Sequence, residues 1–250
     1  MTPSEIVGEP LTQLLLAHAP EMPRAALYRG LLDEPLCMAH LAHDAPAGPA
    51  LRMSFGETIR LVEAPALRVP VVPLYTSGAA MSEAGRERNY WPDGIERGAV
   101  LEKGAAFDLL RGNPGALLVA DEDHVVPLDA GEVAALADRK LPDDYAADLR
   151  ALLKRNKGRE VARTLARRPL YVLGHPHGGL LVFQREIPAF LHLATADRFA
   201  ARIAAQSGTR SEHGLVAATD LFKNCFRGKL DLVIDPGPHA IILKPADLRI

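Results

Sequence analysis

Aromatic residues make up only 5% of this 250-residue chain, and it holds two cysteines and one tryptophan. Two cysteines, Cys37 and Cys225, are too few for a disulfide framework, and each stands in an apolar run. They are expected as reduced, packed thiols, because their neighbours (Leu36 and Met38, Phe222 and Phe226) offer nothing to stabilise the thiolate a nucleophile needs. No uncharged run approaches the roughly 18 residues of a membrane span. The opening Met1-Thr-Pro-Ser-Glu-Ile6 has no basic stretch leading into an apolar one, so neither a span nor a signal peptide is expected. The expected setting is the cytoplasm. Charge is nearly balanced, with 29 Lys and Arg against 31 Asp and Glu, so the chain as a whole has no field to draw it to nucleic acid or a membrane. Absent too are Gly-x-Ser-x-Gly, a phosphate loop ending in Gly-Lys-Ser/Thr, and His-Glu-x-x-His. No cofactor is expected.

What the chain does hold is an apolar fraction of 48% and a pattern stated twice. Phe107-Asp-Leu-Leu-Arg-Gly112 runs into Ala116-Leu-Leu-Val-Ala-Asp121, His124-Val-Val-Pro-Leu128 and Glu132-Val133. Leu221-Phe-Lys-Asn-Cys-Phe-Arg-Gly228 runs into Leu230-Asp-Leu-Val-Ile-Asp235, His239-Ala-Ile-Ile-Leu243 and Asp247-Leu248. Each reads as a short helix with an Arg-Gly stop, a strand ending in Asp, a turn, and a second strand opened by His. An acidic residue follows each second strand. Upstream landmarks recur in the same order. Helices at 11–19 and 24–32 answer those at 145–154 and 159–167, and Leu31 to Leu36 answers Leu165 to Leu170. Val69-Pro70 answers Ile187-Pro188, and caps at Thr76-Ser77 and Thr195 each open a helix.

The expectation is an α+β chain of two related modules, 1–138 and 139–250, each a small mainly antiparallel or mixed sheet packed against helices. The first module carries an inserted or elongated hairpin at 43–68. The prolines of Val69-Pro-Val-Val-Pro-Leu-Tyr75 suit a sheet edge or a bulge better than a sheet centre. Strands are also expected at 180–185 and 189–193, and a loop at 207–213.

Leu11-Thr-Gln-Leu-Leu-Leu16, Ala26-Leu-Tyr-Arg-Gly-Leu-Leu32, Val72-Pro-Leu-Tyr-Thr-Ser77 and Phe107-Asp-Leu-Leu110, with Asn113-Pro114 before an apolar strand, resemble the SseB N-terminal domain. That family is associated with enhanced serine sensitivity in enterobacteria. The pattern covers 10–136, and 145–250 resembles a degenerate second copy. There Asn113-Pro114 has no counterpart and Ala194-Thr195 replaces Thr76-Ser77. The resemblance implies an α+β domain with no established catalytic residues.

Several places are candidates for chemistry or binding. His124 and His239 each follow an Asp-ended strand, and an Asp beside a His is a pairing that general-base catalysis uses. A turn reused in both copies produces the same pairing of His124 with Asp121 and His239 with Asp235, and that is the reading favoured. His40 with His43, and His175 with His177, are the close histidine pairs. His-x-His on an extended segment turns both rings to one face, half of a zinc site, but no Cys or carboxylate cluster completes it and no metal is expected. Asp121, Glu122 and Asp123 read as a solvated turn. Arg150, Lys154, Arg155, Lys157, Arg159, Arg163, Arg167 and Arg168 form a basic run without interleaved aromatics. It reads as a solvated helical surface first, an anion-docking face second, and not as a single-strand stacking platform.

The function expected is that of a non-enzymatic protein-binding or adaptor protein, of the immunity-type or secretion/effector-associated kind found in bacteria. Tyr75, Trp91, His124, His239, Lys154, Arg155 and Arg159 are the candidate contact residues. The 43–68 hairpin and the two Val/Ile-Pro strands are candidate places, strand addition at a sheet edge being one route to a protein partner. Two other classes stay open: an enzyme using the His124/Asp121 or His239/Asp235 turn, and an anion or nucleic-acid binder working through 150–168.

Overall fold

The computed structural model of the chain describes residues 9–17, 24–43, 48–53, 56–175, 178–208 and 210–250. The chain is α+β and divides into two compact units, Met1–Leu141 and Pro142–Ile250. In the first unit, α1 (Glu9–Leu16) and α2 (Ala25–Asp33) lead into β1 (Leu36–Ala39). The short strands β2 (Ala50–Arg52), β3 (Thr58–Arg60) and β4 (Val62–Ala64) follow, then β5 (Val69–Tyr75) and α3 (Gly78–Glu87). The unit closes with β6 (Gly98–Leu101), α4 (Ala105–Leu109), β7 (Gly115–Val119), β8 (Val125–Asp129) and α5 (Ala130–Ala137). The second unit contains α6 (Pro142–Lys154), α7 (Gly158–Leu165), β9 (Pro169–Gly174), β10 (Glu186–Phe190) and α8 (Leu193–Ser207). It ends with β11 (Glu212–Ala217), α9 (Ala218–Gly228), β12 (Asp231–Ile234) and β13 (Ile241–Leu243). Among the described residues no helix is long and apolar enough to cross a membrane.

The two sheets share one order and one set of strand senses. The first runs β6-β1-β5-β7-β8 and the second β11-β9-β10-β12-β13. Every neighbouring pair is antiparallel except β5 with β7 and β10 with β12. Registers correspond as well: Cys37 stands between Tyr75 and Val100, and Tyr171 between Phe190 and Leu215. The inserted hairpin forms its own two-stranded sheet, β2 with β3, while β4 pairs the first half of β5.

The Val-Pro strand is not at an edge. β5 and β10 are the centre strands of their sheets, and the ladder accommodates their prolines for a local reason. Thr76 N donates to Val119 O (3.0 Å), so even-numbered residues of β5 face β7 and Pro73 faces away from it. On that side Pro73 falls between Val71, paired with Val62 on β4, and Tyr75, paired with Cys37 on β1. Likewise Asp235 N donates to Ala189 O (2.8 Å), which turns Pro188 toward β9, whose first pair with β10 is at Ala189. A missing N–H thus leaves no gap in either ladder. Segment 180–185 contributes only the bridges Gly174 to Leu180 and Phe183 to Glu186. The loop expected at 207–213 gives way to β11 from Glu212, and α8 starts after His192 rather than at a Thr195 cap.

Each sheet is covered on both faces. In the first unit α1, α2, α4 and α5 supply Leu11, Leu15, Leu31, Phe107 and Leu136 to the larger core. Met81 and Ala84 of α3 pack on the other face against Cys37, Tyr75 and Val119. In the second, Tyr145, Leu149, Leu165, Phe222 and Cys225 of α6, α7 and α9 cover one face. Phe199 of α8 meets Phe190 on the other at 5.2 Å. Both cysteines are buried, and burial pushes each thiol up to about 11. At pH 8 the folded protein then holds about a hundredfold less thiolate than an unfolded chain. A thiol reagent is expected to label neither cysteine of the native protein on the timescale in which it labels both in denaturant. Rapid labelling before unfolding refutes this.

The acidic residues that close each repeat have a shared task. Glu132 N donates to Asp129 Oδ1 (2.8 Å) while Asp129 N donates to Glu132 Oε2 (2.6 Å), a capping box on α5. Glu132 Oε1 then reaches α2, accepting from Tyr28 Oη and from Arg24 Nη1, the latter at 2.8 Å. In the second unit Asp247 accepts from Lys244 N (3.0 Å) and lies against Gly158, the first residue of α7. A Cβ at Gly158 would stand 2.4 Å from Asp247 Oδ1. Gly158→Ala is therefore expected to destabilise the second unit by about 1–3 kcal/mol through overpacking. An unchanged urea midpoint for that unit would show that the contact does not constrain α7.

Candidate functional site

The face of α6 away from the core carries Ala147, Arg150, Ala151 and Lys154, at the three- and four-residue spacing that aligns side chains on one side of a helix. Its other face is anchored by Tyr145 and Leu149, both buried. Arg168 fixes Tyr145 further, its guanidinium carbon 3.2 Å from the ring centroid. Opposite α6 stands the β12–β13 turn with Pro238, His239 and Ala240. Between them, with Leu153, lies an open groove of about 520 Å³. The structure thus brings together Lys154 and His239, two of the residues singled out from sequence, and adds Arg150. Arg155 and Arg159 are exposed on the same helix pair but do not line the groove.

The two His/Asp turns differ. Asp121 Oδ1 accepts from the backbone N–H of Asp123 (2.9 Å) and of His124 (2.8 Å). His124 Nδ1 lies 2.8 Å from the same oxygen and must donate, since a carboxylate only accepts. The imidazole contact, with these amides, holds the Asp121 carboxyl below its usual range. Both side chains are exposed, and their geometry closes a turn. Asp235 instead accepts from Leu191 N (3.2 Å), and burial pushes its carboxyl up against that bond and the nearby His192 and Arg150. His239 faces solvent in the groove.

Tyr75 and Trp91 are not available to a partner. Tyr75 is 0% exposed and Trp91 6%, both in the core beneath α3, where Trp91 Nε1 donates to His40 O (2.8 Å). Their aromatic character serves packing. Arg168 leaves the basic run in the same way, being buried against Tyr145. His175 is exposed, and His177 lies outside the described residues. Among the described residues no group of three or more His, Cys, Asp and Glu is placed to hold a metal ion.

Charge is divided between the units in a way the whole-chain sum conceals. Residues 1–141 hold 12 Lys and Arg against 20 Asp and Glu, a net of −8, and residues 142–250 hold 17 against 11, a net of +6. Acids gather in the first unit at the small cleft between α3 and the β7–β8 turn, where Glu83, Glu87, Asp121 and Glu122 meet. There Glu87 beside Glu122 raises the carboxyl of the latter. The division is written in the sequence but appears only when charge is summed unit by unit.

Fold and site together define a two-unit α+β protein with an open cationic groove on its second unit. No family model matches the chain, and no curated protein does. A solved structure, Anabaena Tic22 (protein transport), is similar at 11% identity over 87% of this chain and 94% of that one, with a TM-score of 0.21. A likeness at that score carries no argument about this chain.

Proposed function

We propose that the chain is a non-enzymatic, cytoplasmic binding protein of two related modules, an adaptor or immunity-type protein whose second unit takes an acidic protein partner. The resemblance to the SseB N-terminal domain belongs to this reading. The observation that carries it is the state of the α6–α7 surface. Elsewhere in the second unit Lys223 pairs with Asp220 and Lys244 with Asp231, and on this surface Lys157 pairs with Glu160. Lys154, Arg155, Arg159, Arg163 and Arg167 are exposed with no ion pair among the described residues. Unneutralised cations on one face speed encounter with an acidic surface and select against basic ones. Strand addition to the Val/Ile-Pro strands is not the route, because both strands are interior.

The test is crosslinked capture from a bacterial lysate with the full chain and with an R155E/R159E/R163E variant. Acidic proteins held by the parent, released by salt and lost with the variant are the expected result. A variant that captures the same proteins overturns the reading. Heparin or RNA retained in place of protein would transfer the site to the nucleic-acid class.

A further inference from the structure

We infer that the groove between α6 and the β12–β13 turn is a binding site for an extended acidic peptide segment with aliphatic side chains between its carboxylates. This rests on the protein-binding reading above and adds the site and the ligand chemistry. Arg150 and Lys154 lie one helical turn apart on α6, and His239 faces them from the turn. None of the three makes a hydrogen bond or ion pair among the described residues, and the one carboxylate close enough to Arg150 to feel its charge is that of Asp235. Beside the cations Ala147 and Ala151 leave room for a backbone to approach, while Leu153 and Pro238 supply apolar wall. The volume lies within the range of about 300–1,000 Å³ typical of ligand sites, yet the groove is an open trough, which suits a chain passing through.

The lining discriminates among anions. Phosphate sites usually offer backbone N–H groups at a helix start or a glycine-rich nest. Here the α6 lining residues Ala147 to Lys154 stand in the body and last turn of the helix, where their N–H groups are already bonded, and Pro238 has none. Recognition therefore falls to side chains, and the Arg150 fork matches a carboxylate in two parallel bonds. Among the described residues no Phe, Tyr or Trp lines the groove, which leaves a base only the His239 ring and the Arg150 guanidinium to stack on. The corresponding helix of the first unit, α1, presents Leu14 and Leu16 to solvent where α6 presents cations, so the site belongs to the second unit alone.

The probe is a fluorescent hexapeptide alternating Glu and Leu, with its Gln-for-Glu counterpart, titrated into the full chain by anisotropy. Saturable binding of the Glu peptide is expected, weakened at least about tenfold in the Gln peptide, in R150E and in K154E. R227E, on α9, is the control expected to leave it unchanged, and thermal melting checks that each variant is folded. Equal competition by inorganic phosphate, tighter binding of a single-stranded oligonucleotide, or binding indifferent to R150E and K154E overturns the inference. So does salt-dependent self-association of the chain that blocks the probe, which would make the acidic first unit of another copy the occupant. If the peptide fails while partner capture survives and is lost with R155E/R159E/R163E, the groove assignment falls and the protein-binding reading stands.

Discussion

Trp91→Ala is expected to lower the stability of the first unit by about 3–5 kcal/mol, the range for truncating a buried aromatic to a methyl group. The ring lies against Gly85 of α3. A Cβ at Gly85 would stand 2.1 Å from the Trp91 six-membered ring, so ring and helix backbone are in direct contact. Tyr90 meets the indole edge-on with centroids 6.0 Å apart, and the indole N–H is satisfied by His40 O. Truncation removes the filling of this second core and the hydrogen bond from the indole N–H to His40 O. Gly85→Ala attacks the same contact from the helix side. Its gain of about 1 kcal/mol in helix propensity is outweighed by the displacement of the ring. Trp91 is the only tryptophan, so its fluorescence in the parent reports the first unit. For the alanine variant, far-ultraviolet circular dichroism and amide exchange follow the loss. A Trp91→Ala protein whose first-unit amides exchange like the parent's would refute the structural role.

Trp91 shows why composition misleads about sites. A lone Trp beside Pro92 and Gly94 reads from sequence as a loop aromatic on offer to a partner, because the glycine that receives it is six residues earlier and looks like an ordinary helix residue. Gly98 hides in the same way. It sits in β6 with Met81 Sδ 2.7 Å from where a Cβ would stand. The edge strands β6 and β11 are half-buried along most of their length, so they lack the two-residue alternation that betrays a strand. The central elements were legible because they are apolar throughout, and the repeated order of helix, strand and strand foreshadowed the shared topology. Prolines pointed the wrong way for β5 and β10, since where a partner strand begins is a tertiary fact. The groove was half legible: Lys154 and His239 were candidates on separate grounds, but nothing local in the chain places the turn beside α6.

Glu132 carries the other large expected effect. Glu132→Ala is predicted to cost the first unit about 3–5 kcal/mol, because it leaves the guanidinium of Arg24 and the hydroxyl of Tyr28 without their acceptor inside the structure. Arg24 Nη1 keeps only its bond to Pro127 O (3.0 Å). Glu132→Gln preserves the shape but turns an amide N–H₂ toward either the Asp129 N–H or the Arg24 guanidinium, which can only donate, and leaves the Tyr28 hydroxyl as the one group there able to turn and accept. It should still cost about 1–3 kcal/mol. The pH response separates charge from shape. Burial first, and the Asp129 carboxylate next, push the Glu132 carboxyl above its ordinary 4.5, with Arg24 and Tyr28 opposing them. Between 4.5 and the raised folded value the native state binds the proton more tightly than the unfolded chain does. This group's contribution therefore falls as pH rises through that window and returns on acidification toward its lower end. The urea midpoint of the parent should rise relative to that of Glu132→Gln as pH falls through that window, so that the two curves diverge. Curves that stay parallel would mean that Glu132 holds α2 to α5 without any proton linkage.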